Sequence, residues 1–309
     1  MDVRISIIGT GFVGAATAFS LVQAGSASEI VLVDIDKQKA EGEAMDLLHG
    51  VSFVQPVDVR AGELADCRGS RIVIYTAGVN QKPGETRLDL AARNLAILRQ
   101  TLPPLIAACP DALFLFVANP VDILTYAALK WSGLPAEQVI GSGTVLDSSR
   151  LRMHLGQHFG FDARNVHAYV VGEHGDTELV LWSLANVAGA DLSHVDPLGR
   201  PPLNREQVFA DVKNAAYRII ERKGATYYAI ALAVRRIVDA VLRDERSILT
   251  VSSLVNGPYG LHDVCLSLPC LVTSEGRKQI LELPITAEEQ IALNASAVHL
   301  ATFSKELGL

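Results

Sequence analysis

The chain has 309 residues, enough for one large domain or two of ordinary size. It is 49% hydrophobic with a mean hydropathy of +0.26, so apolar side chains can fill a large core and leave some for subunit contacts. A net charge of −7 without any basic tract argues against a nucleic-acid partner, and Cys67, Cys109, Cys265 and Cys270 lack CxxC spacing, which reads as reduced thiols of a cytoplasmic protein.

The first apolar run, residues 3–8, stops at glycine. It is too short for a secretory core or a membrane span, so no membrane partner is expected. Residues 30–33, 71–75 and 113–117 are similar runs, continuous rather than alternating, as in strands covered on both faces. Helical periodicity fills the intervals: Phe12–Ala24, Lys37–His49 and 88–108, the last with Leu88, Ala91, Ala92, Leu95 and Leu98 on one face. Strand–helix alternation predicts an α/β fold, a doubly wound parallel sheet of Rossmann type.

Near residue 145 the texture changes. A helix is expected over 147–159 and a strand over 166–171, followed by a polar stretch, 191–204, and two long helical patterns meeting at Gly224. Val208, Val212, Ala215, Ala216, Ile219 and Ile220 form the apolar stripe of the first pattern. Strand-like runs at 248–252 and 264–272 precede a final helix that opens with Thr286-x-x-Glu289, a capping-box pattern. The expectation is two tightly packed domains: residues 1–143 for cofactor binding and an α+β substrate domain over 144–309.

Gly9-Thr10-Gly11-Phe12-Val13-Gly14 is a G-x-G-x-x-G between an expected strand and helix. Its first glycine permits a tight turn, its second lets a pyrophosphate approach the backbone, and its third packs helix on strand. The helix N-terminus then offers unpaired N–H groups to the phosphates. Glycine-rich turns are common, but Asp34 ends the second strand twenty residues after Gly14. A carboxylate there accepts bonds from the ribose hydroxyls and repels a 2′-phosphate, so the cofactor expected is NAD rather than NADP.

Four later segments carry polar groups where apolar or turn residues are the norm: Gly78 to Arg87, Asn119-Pro120-Val121-Asp122, Asp147-Ser148-Ser149-Arg150 and Gly172-Glu173-His174-Gly175-Asp176. With the glycine turn, Gly143 to Asp147 and Lys223 to Tyr228, they resemble the L-lactate/malate dehydrogenase family, and most closely its bacterial L-lactate dehydrogenases. The resemblance runs through the whole chain in order.

It implies that His174 is the acid/base that exchanges a proton with the substrate oxygen, and that Asp147 orients and stabilises its imidazole. Arg150 then clamps the substrate carboxylate by two parallel bonds, and Arg87, on a mobile loop, polarises the ketone. Asn119 lies near the reacting oxygen and Thr226 lines the pocket. Cofactor contacts are implied for Gly9, Gly11, Phe12, Val13, Gly14, Asp34, Thr76, Ala77, Gly78, Asn119 and Ser142. Taken singly, Asp147 reads equally well as a helix cap, Asp147 with Arg150 as a surface pair, His174 as a turn residue and Arg87 as a solvated charge.

The family divides on the residue facing the substrate's third carbon, here Gln81. An arginine there pairs the second carboxylate of oxaloacetate, whereas a neutral glutamine suits pyruvate and L-lactate. Malate dehydrogenase or a broader 2-hydroxy-acid dehydrogenase is the alternative, and a non-catalytic NAD sensor a more distant one. The resemblance further implies a homo-oligomer, tetrameric or dimeric. Arg152 and His167 match a fructose 1,6-bisphosphate site of related bacterial enzymes, or are ordinary surface residues. His154 and His158 have i,i+4 metal spacing, but no third ligand is evident and no metal is expected.

Overall fold

A computed structural model describes residues 3–80, 84–196 and 199–309. Its first half runs β1 (Arg4–Ile8), α1 (Phe12–Ala24), β2 (Glu29–Val33), α2 (Lys37–His49), β3 (Asp58–Ala61), β4 (Ile72–Tyr75), α3 (Arg87–Ala108), β5 (Leu113–Phe116), α4 (Val121–Ser132) and β6 (Val139–Gly141). These strands are parallel, in the order β3-β2-β1-β4-β5-β6. The order reverses between β1 and β4. In a doubly wound sheet the carboxyl ends of the strands at that reversal form the ligand crevice.

Burial explains the continuous apolar runs. Ile5, Ile7, Ile30, Ile72, Ile74, Phe114 and Phe116 are all buried, because helices cover both faces of the sheet. Polar side chains set the helix starts: the Asp36 carboxylate accepts a bond from the Lys39 N–H at 3.1 Å, and Thr86 with Asp89 forms a reciprocal capping box on α3.

Three elements of this half, β3, β6 and α4, lie outside the runs expected from the sequence. β3 is an edge strand of mixed polarity (DVRA), β6 spans only three residues, and α4 opens with a continuous buried stretch, Val121 to Ala128, in which no exposed face marks the helical period.

The second half continues with α5 (Val145–Phe159), β7 (Val166–His167), β8 (Val170–Val171), β9 (Leu179–Val180), β10 (Asn186–Val187), β11 (Ala190–Asp191), α6 (Arg205–Lys213), α7 (Ala215–Lys223) and α8 (Tyr228–Leu242). Then come β12 (Ser247–Leu249), β13 (Ser252–Val255), β14 (Val264–Ser267), β15 (Cys270–Thr273), β16 (Gly276–Ile280) and α9 (Ala287–Glu306). Each run expected as one strand is two. Residues 166–171 divide into β7 and β8, 248–252 into β12 and β13, and 264–272 into β14 and β15 across Pro269, which has no N–H to give a ladder. The helical pattern before Gly224 also breaks, at Asn214, whose side-chain amide donates to the Ala210 carbonyl at 2.8 Å. Gly224 itself stops α7 with φ 84°, a left-handed conformation that glycine adopts without a Cβ clash. The Thr286–Glu289 capping box on α9 is present as expected.

β13 lies antiparallel to β6 through the pair Ser252–Gly141, and β14 pairs beyond it, so the main sheet has eight strands among the described residues. A second core, including Leu151, Leu155, Phe159, Val166, Val170 and Val212, packs α5 and α6 over the short strands. Among the described residues, no helix is long and apolar enough to cross a membrane.

Candidate active site

The glycine turn leaves β1 and enters α1 at the strand-order reversal. Gly14 is forced by contact: a Cβ there would lie 1.9 Å from the Gly9 carbonyl oxygen. A Cβ on Gly11 would meet no described atom within 4 Å, so the backbone at the start of α1 faces open space. That is the shape a pyrophosphate needs beside free helix N–H groups.

The Thr76 hydroxyl donates to the Gly9 carbonyl at 2.7 Å and so ties the end of β4 to the turn. Asp34 at the end of β2 accepts the Thr10 N–H at 2.6 Å and the Asp36 N–H at 3.0 Å. Burial raises its pKa, but these donors outweigh it and hold the carboxyl below its ordinary value, hence ionised. The residues therefore fit an adenosine ribose with a free 2′-hydroxyl.

The same crevice gathers the later segments. Asn119 and Pro120, joined by a cis peptide, follow β5 and precede α4, and buried Ser142 follows β6. Asn94 on α3 was not singled out in the sequence. It is buried, and its amide donates to the Asn119 carbonyl at 2.7 Å while its oxygen accepts the Val79 N–H at 2.8 Å. One side chain thus joins the loop after β4, with Ala77 and Gly78, to the turn after β5. A lone asparagine within the apolar stripe of α3 was the available signal.

His174 sits on a loop fixed at three successive residues. Gly172 exchanges two 2.9 Å backbone bonds with Ser267 of β14, the Glu173 N–H donates to Ser296 on α9 at 2.9 Å, and the His174 N–H donates to Asp122 on α4 at 2.7 Å. Asp122 thereby acquires a positioning role that the sequence reading had not given it. The imidazole Nδ1 is 2.7 Å from Asp147 Oδ2, and the other Asp147 oxygen accepts from Arg150 at 2.7 Å. The first two turns of α5 supply Asp147 and Arg150, with Asp147 buried and Arg150 nearly so. The N-terminus of a helix is a favourable place for such a carboxylate.

These charges hold one another in place. Burial works against the charge on Asp147, but His174 and Arg150 overcome it and keep the carboxyl below its usual range. Burial likewise pulls the His174 pKa down, and Asp147 reverses this and pushes it up to about 9. Nε2 is left as the ring atom able to pass a proton to a ligand.

Arg87 begins α3 and reaches the histidine loop, with its guanidinium 2.9 Å from Asp176, 3.0 Å from the Tyr217 hydroxyl and 3.8 Å from Glu173. Thr226 lies between α7 and α8, and the next residue, Tyr227, stacks on Phe12 of the glycine turn at 5.3 Å. Val13 is packed against the main core. Gln81 lies outside the described residues.

Arg152 donates to the Ala168 carbonyl at 3.1 Å and its guanidinium lies over Tyr169, the two residues that follow exposed His167 of β7. His154 and His158 stand apart from any third ligand among the described residues, where Asp147, His174 and Glu178 form the one cluster of metal-ligand spacing. Both oxygens of Asp147 are already engaged there, one by a guanidinium.

Residues 3–141 match the family model for the lactate/malate dehydrogenase NAD-binding domain, and residues 144–307 match its alpha/beta C-terminal domain. An L-lactate dehydrogenase of Moorella thermoacetica is 54% identical over 99% of this chain and 98% of its own length. L-lactate dehydrogenase 1 of Clostridium acetobutylicum is 54% identical over 96% of each chain. Among solved structures, a lactate dehydrogenase from a Medee basin deep-sea metagenome library superposes with a TM-score of 0.96 at 42% identity, covering 100% of this chain and 99% of that one. The minor L-lactate dehydrogenase of Enterococcus mundtii gives 0.93 at 41% identity over 99% and 98%.

Proposed function

Because this chain belongs to the lactate/malate dehydrogenase family, we infer that it is an NAD-dependent L-lactate dehydrogenase in which His174, Asp147, Arg150 and Arg87 carry the chemistry. The observation that supports these roles best is the buried chain Arg150–Asp147–His174, which stands at the strand ends beside an open glycine turn.

NADH would supply the hydride when bound, and Gly11, Gly14, Asp34, Ser142 and the 76–78 segment would hold it. Arg150 offers two parallel N–H groups to the pyruvate carboxylate, a geometry that lysine lacks. His174 carries its proton on Nε2 at neutral pH and donates it to the ketone oxygen as that atom gains electrons, and Asp147 stabilises the charged ring throughout. Arg87 is released from Asp176 to meet the developing oxygen charge, with Asn119 and Thr226 completing the wall.

The preference for pyruvate rests on Gln81, since a second carboxylate in a closed pocket without a cation costs several kcal/mol. The direct test compares pyruvate with oxaloacetate by following NADH oxidation. Pyruvate is expected to win, and Gln81→Arg to shift preference toward oxaloacetate. Faster turnover of oxaloacetate by the unmodified protein would refute the assignment of pyruvate while leaving hydride transfer intact.

Residues 1–143 then act as the cofactor domain and 144–309 as the catalytic domain. Exposed Phe19, Met45, Phe53 and Leu232 support assembly into a homo-oligomer, read here as a tetramer. Arg152 beside His167 supports a fructose 1,6-bisphosphate site, tested by pyruvate saturation curves with and without the sugar; superimposable curves would remove it. Four free, buried cysteines accord with a cytoplasmic location.

A further inference from the structure

Glu178 has no part in the roles above, yet it is the third member of the buried acid–imidazole cluster. It precedes β9, it is 6% exposed, and its ligand oxygen lies within 4.8 Å of those of Asp147 and His174. Its Oε1 is buried without a hydrogen-bond partner among the described residues. The charged groups around it are Asp147 and Arg150 on α5, His174 on its own loop and Lys213 at the end of α6. His174 in turn faces Asp122 on α4.

The charges of the pocket decide what Glu178 must be. With His174 protonated, Asp147, Arg150 and His174 sum to one positive charge, and Lys213 adds a further cation nearby. An ionised Glu178 would set a second carboxylate beside Asp147 in a pocket that has to accept an anion, and its own buried Oε1 would lack a donor. A protonated carboxyl removes the repulsion from Asp147 and lowers the cost of burying the unpaired oxygen, since a neutral group is cheaper to desolvate than a charged one.

We propose that Glu178 is a neutral carboxylic acid in the working enzyme, and that its proton is required, together with that of His174, for a carboxylate substrate to bind. Burial first, and the Asp147 charge second, push its pKa up to about 8, within reach of ordinary assay conditions. Glu178 is thus a charge-controlling residue: it acts on the substrate anion and on His174 through space, and transfers no proton to the ketone. When it ionises, substrate affinity falls before His174 loses its proton.

This inference rests on the assigned role of the Arg150–Asp147–His174 pocket, and the test separates the two. The probe is oxamate, which keeps pyruvate's carboxylate and carbonyl, bound to the protein–NADH complex between about pH 6 and 10.5. Affinity is read from the change in NADH fluorescence.

Two required protons make the wild-type slope of log Kd against pH exceed one on the alkaline side and tend to two, about a hundredfold loss per unit beyond both ionisations. Glu178→Gln, which keeps size and polarity, brings the slope to one, about tenfold per unit. A slope of one in the wild type, or a slope above one that survives Glu178→Gln, overturns the proposal. The wild-type slope stands as a test even if the variant does not fold. Absence of oxamate binding at every pH, with NADH still bound, would instead refute the pocket reading.

Discussion

The glycine turn and the histidine pocket sit in one crevice but solve different problems. In the turn, function resides in the backbone: an open approach at Gly11, a close one at Gly14, and helix N–H groups between them. In the pocket, function resides in side chains whose charges are tolerable only together, because removing one partner of a buried ion pair costs about 3–5 kcal/mol. The turn is therefore sensitive to shape and indifferent to pH. The pocket depends on pH as well as on geometry.

Replacement of His174 should have the largest effect on this contrast. His174→Asn is expected to lower kcat/KM for pyruvate by about 10²–10⁴-fold while NADH affinity, by fluorescence titration, stays unchanged. With the pKa raised to about 9, pyruvate reduction in the unaltered enzyme needs a proton that is lost only as pH rises through that value, whereas lactate oxidation, which needs the neutral ring, gains there. The stability sign is the same. A folded pKa above the ordinary 6.5 gives stabilisation that is complete below 6.5 and disappears as pH rises through about 9. A loss of NADH binding in His174→Asn would erase the distinction between the two regions.

Arg150→Lys comes next. It keeps the charge beside Asp147 but removes the fork, so a rise in pyruvate KM is expected, worth about 2–5 kcal/mol across binding and catalysis. A change in kcat alone would place the carboxylate elsewhere.

The turn is probed by one substitution at two glycines. Gly14→Ala drives a methyl into the Gly9 carbonyl and should lower stability by at least about 1–3 kcal/mol in a denaturant melt. Gly11→Ala meets open space and should fold normally, yet weaken NADH binding because the methyl lies where phosphate must approach. Equal behaviour of the two variants would contradict the geometry. The smallest effect is expected far from both regions: Thr286→Ala removes the cap of α9 and should cost about 1 kcal/mol with no change in KM.

The two regions also differ in how much of them can be read from residue order. The turn and Asp34 lie within one strand–helix–strand passage, so local spacing reveals them. His174 is 27 residues from Asp147 and 24 from Arg150, which it meets across α5 and the loop, and it was resemblance to a family that joined them. Asn94, Asp122 and Glu178 were left unassigned because each acts through a long-range contact: with Asn119, with the His174 backbone, and with the Asp147–His174 pair. In the fold, long apolar runs in the first half were legible. Two-residue strands such as β8 and β9 carry too little periodicity, and the division of 248–252 between two sheets is a tertiary choice.

The junction of β6 with β13 has a further consequence. One sheet runs from the half that matches the NAD-binding domain into the half that matches the C-terminal domain, so a chain ended near residue 143 would leave β6 as a bare edge, an invitation to pair with another molecule. The two halves are thus modules of chemistry without being modules of folding. Recombination between relatives could exchange the residues of the pocket far more readily than it could exchange the pocket's half of the sheet.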